Sequence, residues 1–281
     1  MIEFWISDLK SVEKSFVVPC AVGSWEFHQR DDYAKAMLAF EDGQCVPSYY
    51  ASNSILGRGT FDEDFEKSLG ELIDICLILS FVTGACVTPK GATGQSEVQF
   101  LELGDSFIRP RAIRGFDSLR LGMTLAEIFS VGLSRLAKDF QQRRMRLFLS
   151  HWISGLTCFS LEDLFLSVGV QMDIVKQCEI VVTGSDKTYF QGMESASTRY
   201  GIPKLGADYK KMRNDIVHEG RLSGSNFSGR TKGDCAAVTS DALNWIDQYV
   251  WSVLSKPCPL QVDRWKPHVI EHGLPALSFH V

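Results

Sequence analysis

Arg213, Asn214 and His218 are the residues of this chain whose types and spacing could do chemistry together. They lie in the run Arg213-Asn214-Asp215-Ile216-Val217-His218. A histidine titrates near neutral pH and suits proton transfer. An arginine carries a planar fork that matches a phosphate transition state. An asparagine one helical turn before the histidine can hydrogen-bond its imidazole or a substrate. Cleaving RNA without a metal asks for such groups. A base takes the proton of a ribose 2′-hydroxyl, and a cation holds the charge that collects on the attacked phosphate. The bland alternative is that an arginine and a histidine near a helix end complement the helix dipole and face water.

The element that must position them is a helix over residues 208–221. Pro203 and Gly206 precede it, Gly220 stands at its end, and a Gly/Ser-rich loop follows; these are helix start and stop signals. Asp208 is the expected N-cap, and Gly220 the left-handed closing residue. Leu205, Tyr209, Met212 and Ile216 recur at helical spacing and predict the buried stripe. Asn214 and His218, four apart, share the other face, with Arg213 on the flank. Arg213 and His218 are five positions apart, hence roughly 140° around the helix and about 7.5 Å along it. One copy of the helix therefore looks insufficient for a complete site.

The Arg-x4-His run, with a polar residue directly after the arginine and Glu219-Gly220 trailing, resembles the motif of HEPN domains, and most of all their ApeA-like branch. The resemblance covers about residues 105–257, a helical stretch with the motif late in it. It implies a helical bundle that forms a homodimer, with two motif helices facing each other across one composite site. The implied activity is a metal-independent endoribonuclease with Arg213, Asn214 and His218 as catalytic residues, no cofactor, and an RNA substrate. Lys210, Lys211 and Arg221, with Arg143, Arg144 and Arg146, are the expected guides of the RNA backbone. By analogy the branch implies a toxin or antiphage defence effector. Gly220 stands where the toxins neutralised by nucleotidyltransferase partners have a tyrosine, so neither that partner nor its modification is carried over. Some HEPN domains act only as dimerisation or binding modules, which is the alternative.

The bulk numbers set bounds. The chain has 281 residues, 45% of them hydrophobic and 22% charged, with a net charge of −5. That is an ordinary globular composition, enough for one large domain or two modest ones. The negative charge argues against a general nucleic-acid coat protein. Residues 1–104 hold roughly 16 acidic against 7 basic side chains, and residues 105–150 roughly 4 against 9. No apolar run reaches the ~20 residues of a membrane span, and the first residues lack a signal-peptide pattern; a cytoplasmic protein with no membrane partner is expected. Eight cysteines without a C-x2-C pair point to buried free thiols rather than zinc or disulfides.

The expected fold class is α+β, an N-terminal mixed strand and helix domain followed by an all-α bundle. The expected divisions are 1–115, 116–257 and an irregular tail, 258–281. Residues 14–18 and 22–27 suggest a hairpin about Pro19, and 33–40 another strand. Thr60-Phe61-Asp62-Glu63 opens a long buried helix that runs to about Val82 and stops at Gly84. Residues 89–94 read as a hairpin turn between 85–88 and a strand at 98–103, and 105–123 as an Arg-rich connector. Helical spacing starts at Thr124 and continues through Leu147, Phe148 and Trp152. A helix opens at Ser160, residues 184–192 form a loop, and a last helix starts near Thr239. His268-Val269-Ile270-Glu271-His272 matches an inverted zinc-protease string. Pro267 and Gly273 confine it to barely one turn, and no acidic residue follows, so a metal site is not expected. The N-terminal domain could sense an invader, restrain the bundle or widen the dimer, so a regulatory ligand or protein partner there stays open.

Overall fold

The first strands follow from simple alternation. Phe4 and Ile6, Phe16 and Val18, Trp25 and Phe27, and Tyr49 and Ala51 are buried, while their neighbours Trp5, Val17, Glu26 and Tyr50 are more exposed; a period of two puts one face of a sheet in a core. In the computed structural model these residues build β1 (Glu3–Ser7), β2 (Ser15–Pro19), β3 (Ser24–Gln29) and β4 (Pro47–Asn53). With β5 (Thr88–Thr93) they form an antiparallel sheet in the order β2-β3-β4-β1-β5. The structure describes residues 3–20, 24–42, 44, 46–53, 61–93, 144–155, 158–254 and 264–279. Two compact units divide it, Met1–Phe140 and Gln141–Val281. The fold class is α+β. The expected boundary near residue 115, the connector, the strand at 98–103 and the helix from Thr124 lie outside the described residues.

Two elements of the first unit differ from expectation. Residues 33–40 are not a strand but part of helix α1 (Tyr33–Glu41). Ala34, Lys35, Ala36, Met37, Leu38 and Ala39 are all good helix formers, and Ala36 is the buried residue of the helix. Residues 89–93 are not a turn but strand β5. Its pairing sets Trp5 opposite Gly91 and Ile6 opposite Pro89, so Lys90 is the extra residue of a bulge. An edge strand tolerates both that bulge and a proline without an N–H. Pro19 ends β2 at the other edge for the same reason. Helix α2 (Phe61–Thr83) runs as expected and packs on β5, with Leu72, Ile75, Cys76, Ile78, Leu79, Phe81 and Val82 buried.

The second unit is helical: α3 (Met145–Gly155), α4 (Leu161–Thr183), α5 (Tyr189–Tyr200), α6 (Ala207–Glu219), α7 (Lys232–Val253) and α8 (Pro267–Gly273). Side chains cap three of them. Ser160 with Asp163, Thr188 with Gln191 and Thr231 with Asp234 form reciprocal capping boxes on α4, α5 and α7, each satisfying N–H groups that a helix start leaves open. The last box starts α7 at Lys232 rather than near Thr239. The middle box makes 189–200 a helix where a loop through Gly192 was expected. Gly192 is a packing residue: a Cβ there would stand 2.7 Å from Lys176 Cα, so its absence lets α5 lie close on α4.

Residues 264–279 of the expected tail are not irregular. Trp265, Ile270, Leu274 and Ala276 are buried, and α8 packs on α7. The Asn244 side chain pairs with the Trp265 backbone through Nδ2 to O at 3.0 Å and from N to Oδ1 at 3.0 Å. Farther on, Glu162 accepts the Leu277 N–H at 3.0 Å, the Ser278 N–H at 2.9 Å and the Ser278 hydroxyl at 2.7 Å.

Candidate functional site

Helix α6 is built to bury one face and leave another open. Tyr209, Met212, Asp215 and Ile216 are buried, Arg213 and Asn214 half-buried, and Lys210, Lys211, Val217 and His218 exposed. The helix starts at Gly206, which makes no side-chain cap; Asp208 is not the N-cap but lies in the first turn, paired with Lys211 at 2.9 Å. Gly220, at φ 70, closes the helix with its N–H on Ile216 O at 3.2 Å. His218 stands in the last turn, where a cation is favoured by the dipole.

On one flank the site has an aromatic support. The Arg213 guanidinium carbon lies 4.2 Å from the Tyr189 ring centroid, and Lys210 Nζ lies 5.2 Å from that of Phe190. Such cation–π contacts hold both cations against the first turn of α5. The Tyr189 hydroxyl is itself held, 2.6 Å from the Tyr209 hydroxyl and donating to Gly169 O at 3.3 Å. Burial pushes the Tyr189 phenol up to about 12, against the opposing hydrogen bond of Tyr209 and the charge of Arg213. Burial likewise raises Tyr209 well above its ordinary value. Both phenols therefore stay neutral near pH 7 and serve as a platform.

On the other flank α6 carries two carboxylates that grip the following loop. Asp215 accepts hydrogen bonds from Gly224 N at 2.8 Å, Phe227 N at 2.7 Å, and Asn226 N and Nδ2 at 3.0 and 2.6 Å. Glu219 takes Arg221 Nε and Nη2 at 3.0 and 2.6 Å and Ser225 N at 3.0 Å. The open face with Asn214 and His218 runs between these flanks. Asn214 and His218 make no side-chain hydrogen bond among the described residues.

The other expected RNA guides are divided. Lys210, Lys211 and Arg221 are on or beside α6, with Lys211 and Arg221 already paired to Asp208 and Glu219. Arg144 and Arg146 are exposed at the start of α3, which packs on α4. Arg143 lies outside the described residues. A groove of about 640 Å³, lined by Lys187, Gln191, Glu194, Thr198, Arg199 and Lys204 among others, runs along the face of α5 opposite Tyr189 and takes in none of the motif residues. Sequence reasoning missed Tyr189, Phe190, Asp215 and Glu219. The one signal for the first pair was the Thr188 capping box, which places two aromatics in the first turn of a helix.

Thiols play no visible part. Burial pushes the Cys20 and Cys235 thiols up to about 12 and the Cys158 thiol to about 11; such thiols are inert near neutral pH. Among the described residues no helix is long and apolar enough to cross a membrane. Comparison with protein-family models, curated proteins and solved structures finds no match for the chain.

Proposed function

We propose that this protein is a HEPN-type endoribonuclease of the cytoplasm that cleaves RNA at a composite site between two copies of α6. The observation that supports this most is how α6 spends its side chains. Met212, Ile216, Tyr209 and Asp215 serve the fold, while Arg213 is steadied on Tyr189 and Asn214 and His218 are left on an open face. In this reading His218 takes the proton from the 2′-hydroxyl, whose oxygen bonds to the adjacent phosphorus as the bond to the 5′-oxygen breaks, and the departing 5′-oxygen takes up a proton. Arg213 meets the phosphate with its edge N–H groups as negative charge builds. Asn214 orients the imidazole or the ribose. The pair supplies base and cation without a metal, and the second copy of the helix brings an arginine and a histidine to one phosphate. A role as a toxin or defence effector extends the same resemblance.

The test is cleavage of a labelled single-stranded RNA in EDTA by the full chain. The expected product ends in a 2′,3′-cyclic phosphate, and DNA of the same sequence, lacking the 2′-hydroxyl, stays intact. Activity lost on chelation and restored by Mg²⁺ or Mn²⁺ would overturn the mechanism.

The second reading, a non-catalytic dimerisation module, takes its support from Val217, 50% exposed beside the same face. It expects dimerisation through α6 with no RNA cleavage.

A further inference from the structure

Residues 220–230 read Gly-Arg-Leu-Ser-Gly-Ser-Asn-Phe-Ser-Gly-Arg, a composition that ordinarily makes flexible coil. In the fold this stretch is tied along most of its length. Besides the bonds to Asp215 and Glu219, the Ser223 hydroxyl donates to Phe227 O at 2.9 Å and accepts from Arg230 N at 3.2 Å. The Ser225 hydroxyl donates to Glu219. Leu222 and Phe227 are buried, and Leu222 N donates to the Ser278 hydroxyl at 3.4 Å. A Cβ on Gly224 would stand 2.7 Å from Glu219 Oε2 and 2.8 Å from Asp215 Cγ, so a glycine is what lets the loop close on the helix.

A fully buried carboxylate is costly unless donors surround it. Asp215 has four. Burial pushes its carboxyl up, but the bonds from Asn226, Phe227 and Gly224 outweigh burial and hold it below the ordinary carboxylate value. The protein thus spends a buried charge to order a short loop beside the motif. What that loop leaves outward is polar: Arg221, Ser225, Asn226, Ser228 and Arg230 are exposed. Glu219 holds the Nε and Nη2 of Arg221. Arg230 lies 5.1 Å over the Phe227 ring, and its Nη2 is 3.8 Å from Asp208.

We propose that the 221–230 loop is a prefolded wall of the RNA site, gripping single-stranded RNA through Arg221, Arg230 and the polar groups of Ser225 and Asn226, and that Asp215 is its positioning residue. The inference rests on the ribonuclease reading above. The loop hangs from the helix that carries the motif, and Asp215 is about 60° around that helix from His218, so α6 itself sets the wall against the open face. Exposed arginines suit phosphates, and amide and hydroxyl groups suit 2′-hydroxyls and unpaired base edges. Ordering the loop before RNA arrives removes that entropic cost from binding.

The experiment uses the full chain and a fluorescein-labelled single-stranded RNA. In a His218→Ala background, Arg221→Ala with Arg230→Ala is expected to weaken binding about tenfold or more by anisotropy, in line with two lost phosphate contacts. In the active chain the same pair raises KM and leaves kcat nearly unchanged, whereas Arg213→Ala lowers kcat. Asp215→Ala reproduces the KM effect through the loop. Should it unfold the protein, the arginine pair, whose side chains are exposed, still decides the question. Parent-like binding and parent-like KM in the arginine pair overturn the loop proposal while the nuclease stands. A parent chain that neither binds nor cleaves RNA overturns the ribonuclease reading, and the loop proposal with it.

Discussion

Met212 and His218 share α6 and are expected to separate stability from chemistry. Met212 is fully buried, and Met212→Ala should cost about 2–5 kcal/mol through the cavity it leaves, with activity falling only as folded protein is lost. His218 is exposed, and His218→Ala should change stability by less than about 1 kcal/mol while cleavage falls by roughly two orders of magnitude or more. Urea unfolding and initial cleavage rates on the same preparations check both; wild-type rates in a folded His218→Ala chain would return the motif to a solvated helix end. The types at 213, 214 and 218 were legible because their spacing alone puts them off the apolar stripe. Asp215 was not. A carboxylate at the edge of a stripe reads as solvent-facing, and the donors that satisfy it come from positions 224 to 227, after the chain has turned back.

At the scale of elements, the C-terminal segment meets α7 at a buried cluster of Asp247, Arg264 and Trp265. Trp265 Nε1 donates to Asp247 Oδ2 at 3.1 Å, Arg264 Nε lies 3.4 Å from the same oxygen, and the Arg264 guanidinium sits 5.2 Å over the Trp152 ring. Burial pushes the Asp247 carboxyl up to about 6, more than Arg264, Trp265 and Trp152 pull it down. The folded state therefore holds a proton between about pH 4 and 6 that the unfolded chain has released. Stability from this group is full below about pH 4 and is lost as pH rises through 6. Asp215 and Glu162, held below the ordinary value, act in the opposite sense as pH falls. The measurement is thus the difference between wild type and Asp247→Asn in urea unfolding from pH 4 to 7. The wild type should lose stability relative to the variant as pH rises, and parallel curves would sink the assignment.

At the scale of the whole molecule, the proposed ribonuclease requires a second copy of α6 to complete its site. A mixed dimer of one Arg213→Ala chain and one His218→Ala chain keeps one arginine and one histidine. If these meet across the twofold axis, mixing should restore part of the activity that neither variant has alone; a set drawn from a single chain gives no recovery. Sedimentation should show a dimer, and a monomer that RNA does not dimerise would count against the nuclease.

By itself the sequence determined the α+β class, the β2–β3 hairpin, helices α2 and α4, and the length and closing glycine of α6. In each case the information is local: a period of two or of 3.6, a capping residue, a glycine at a left-handed turn. Only the tertiary structure decided that 88–93 is a bulged edge strand and that Gly192 packs rather than breaks. It also decided that the C-terminal segment closes on α7 and that a Gly/Ser stretch is a tied loop. Those outcomes depend on partners far away in the chain. Lys176 stands behind Gly192, Trp5 and Ile6 beside β5, Asn244 and Asp247 under Trp265, and Asp215 beneath the loop, and no window of neighbouring residues contains them.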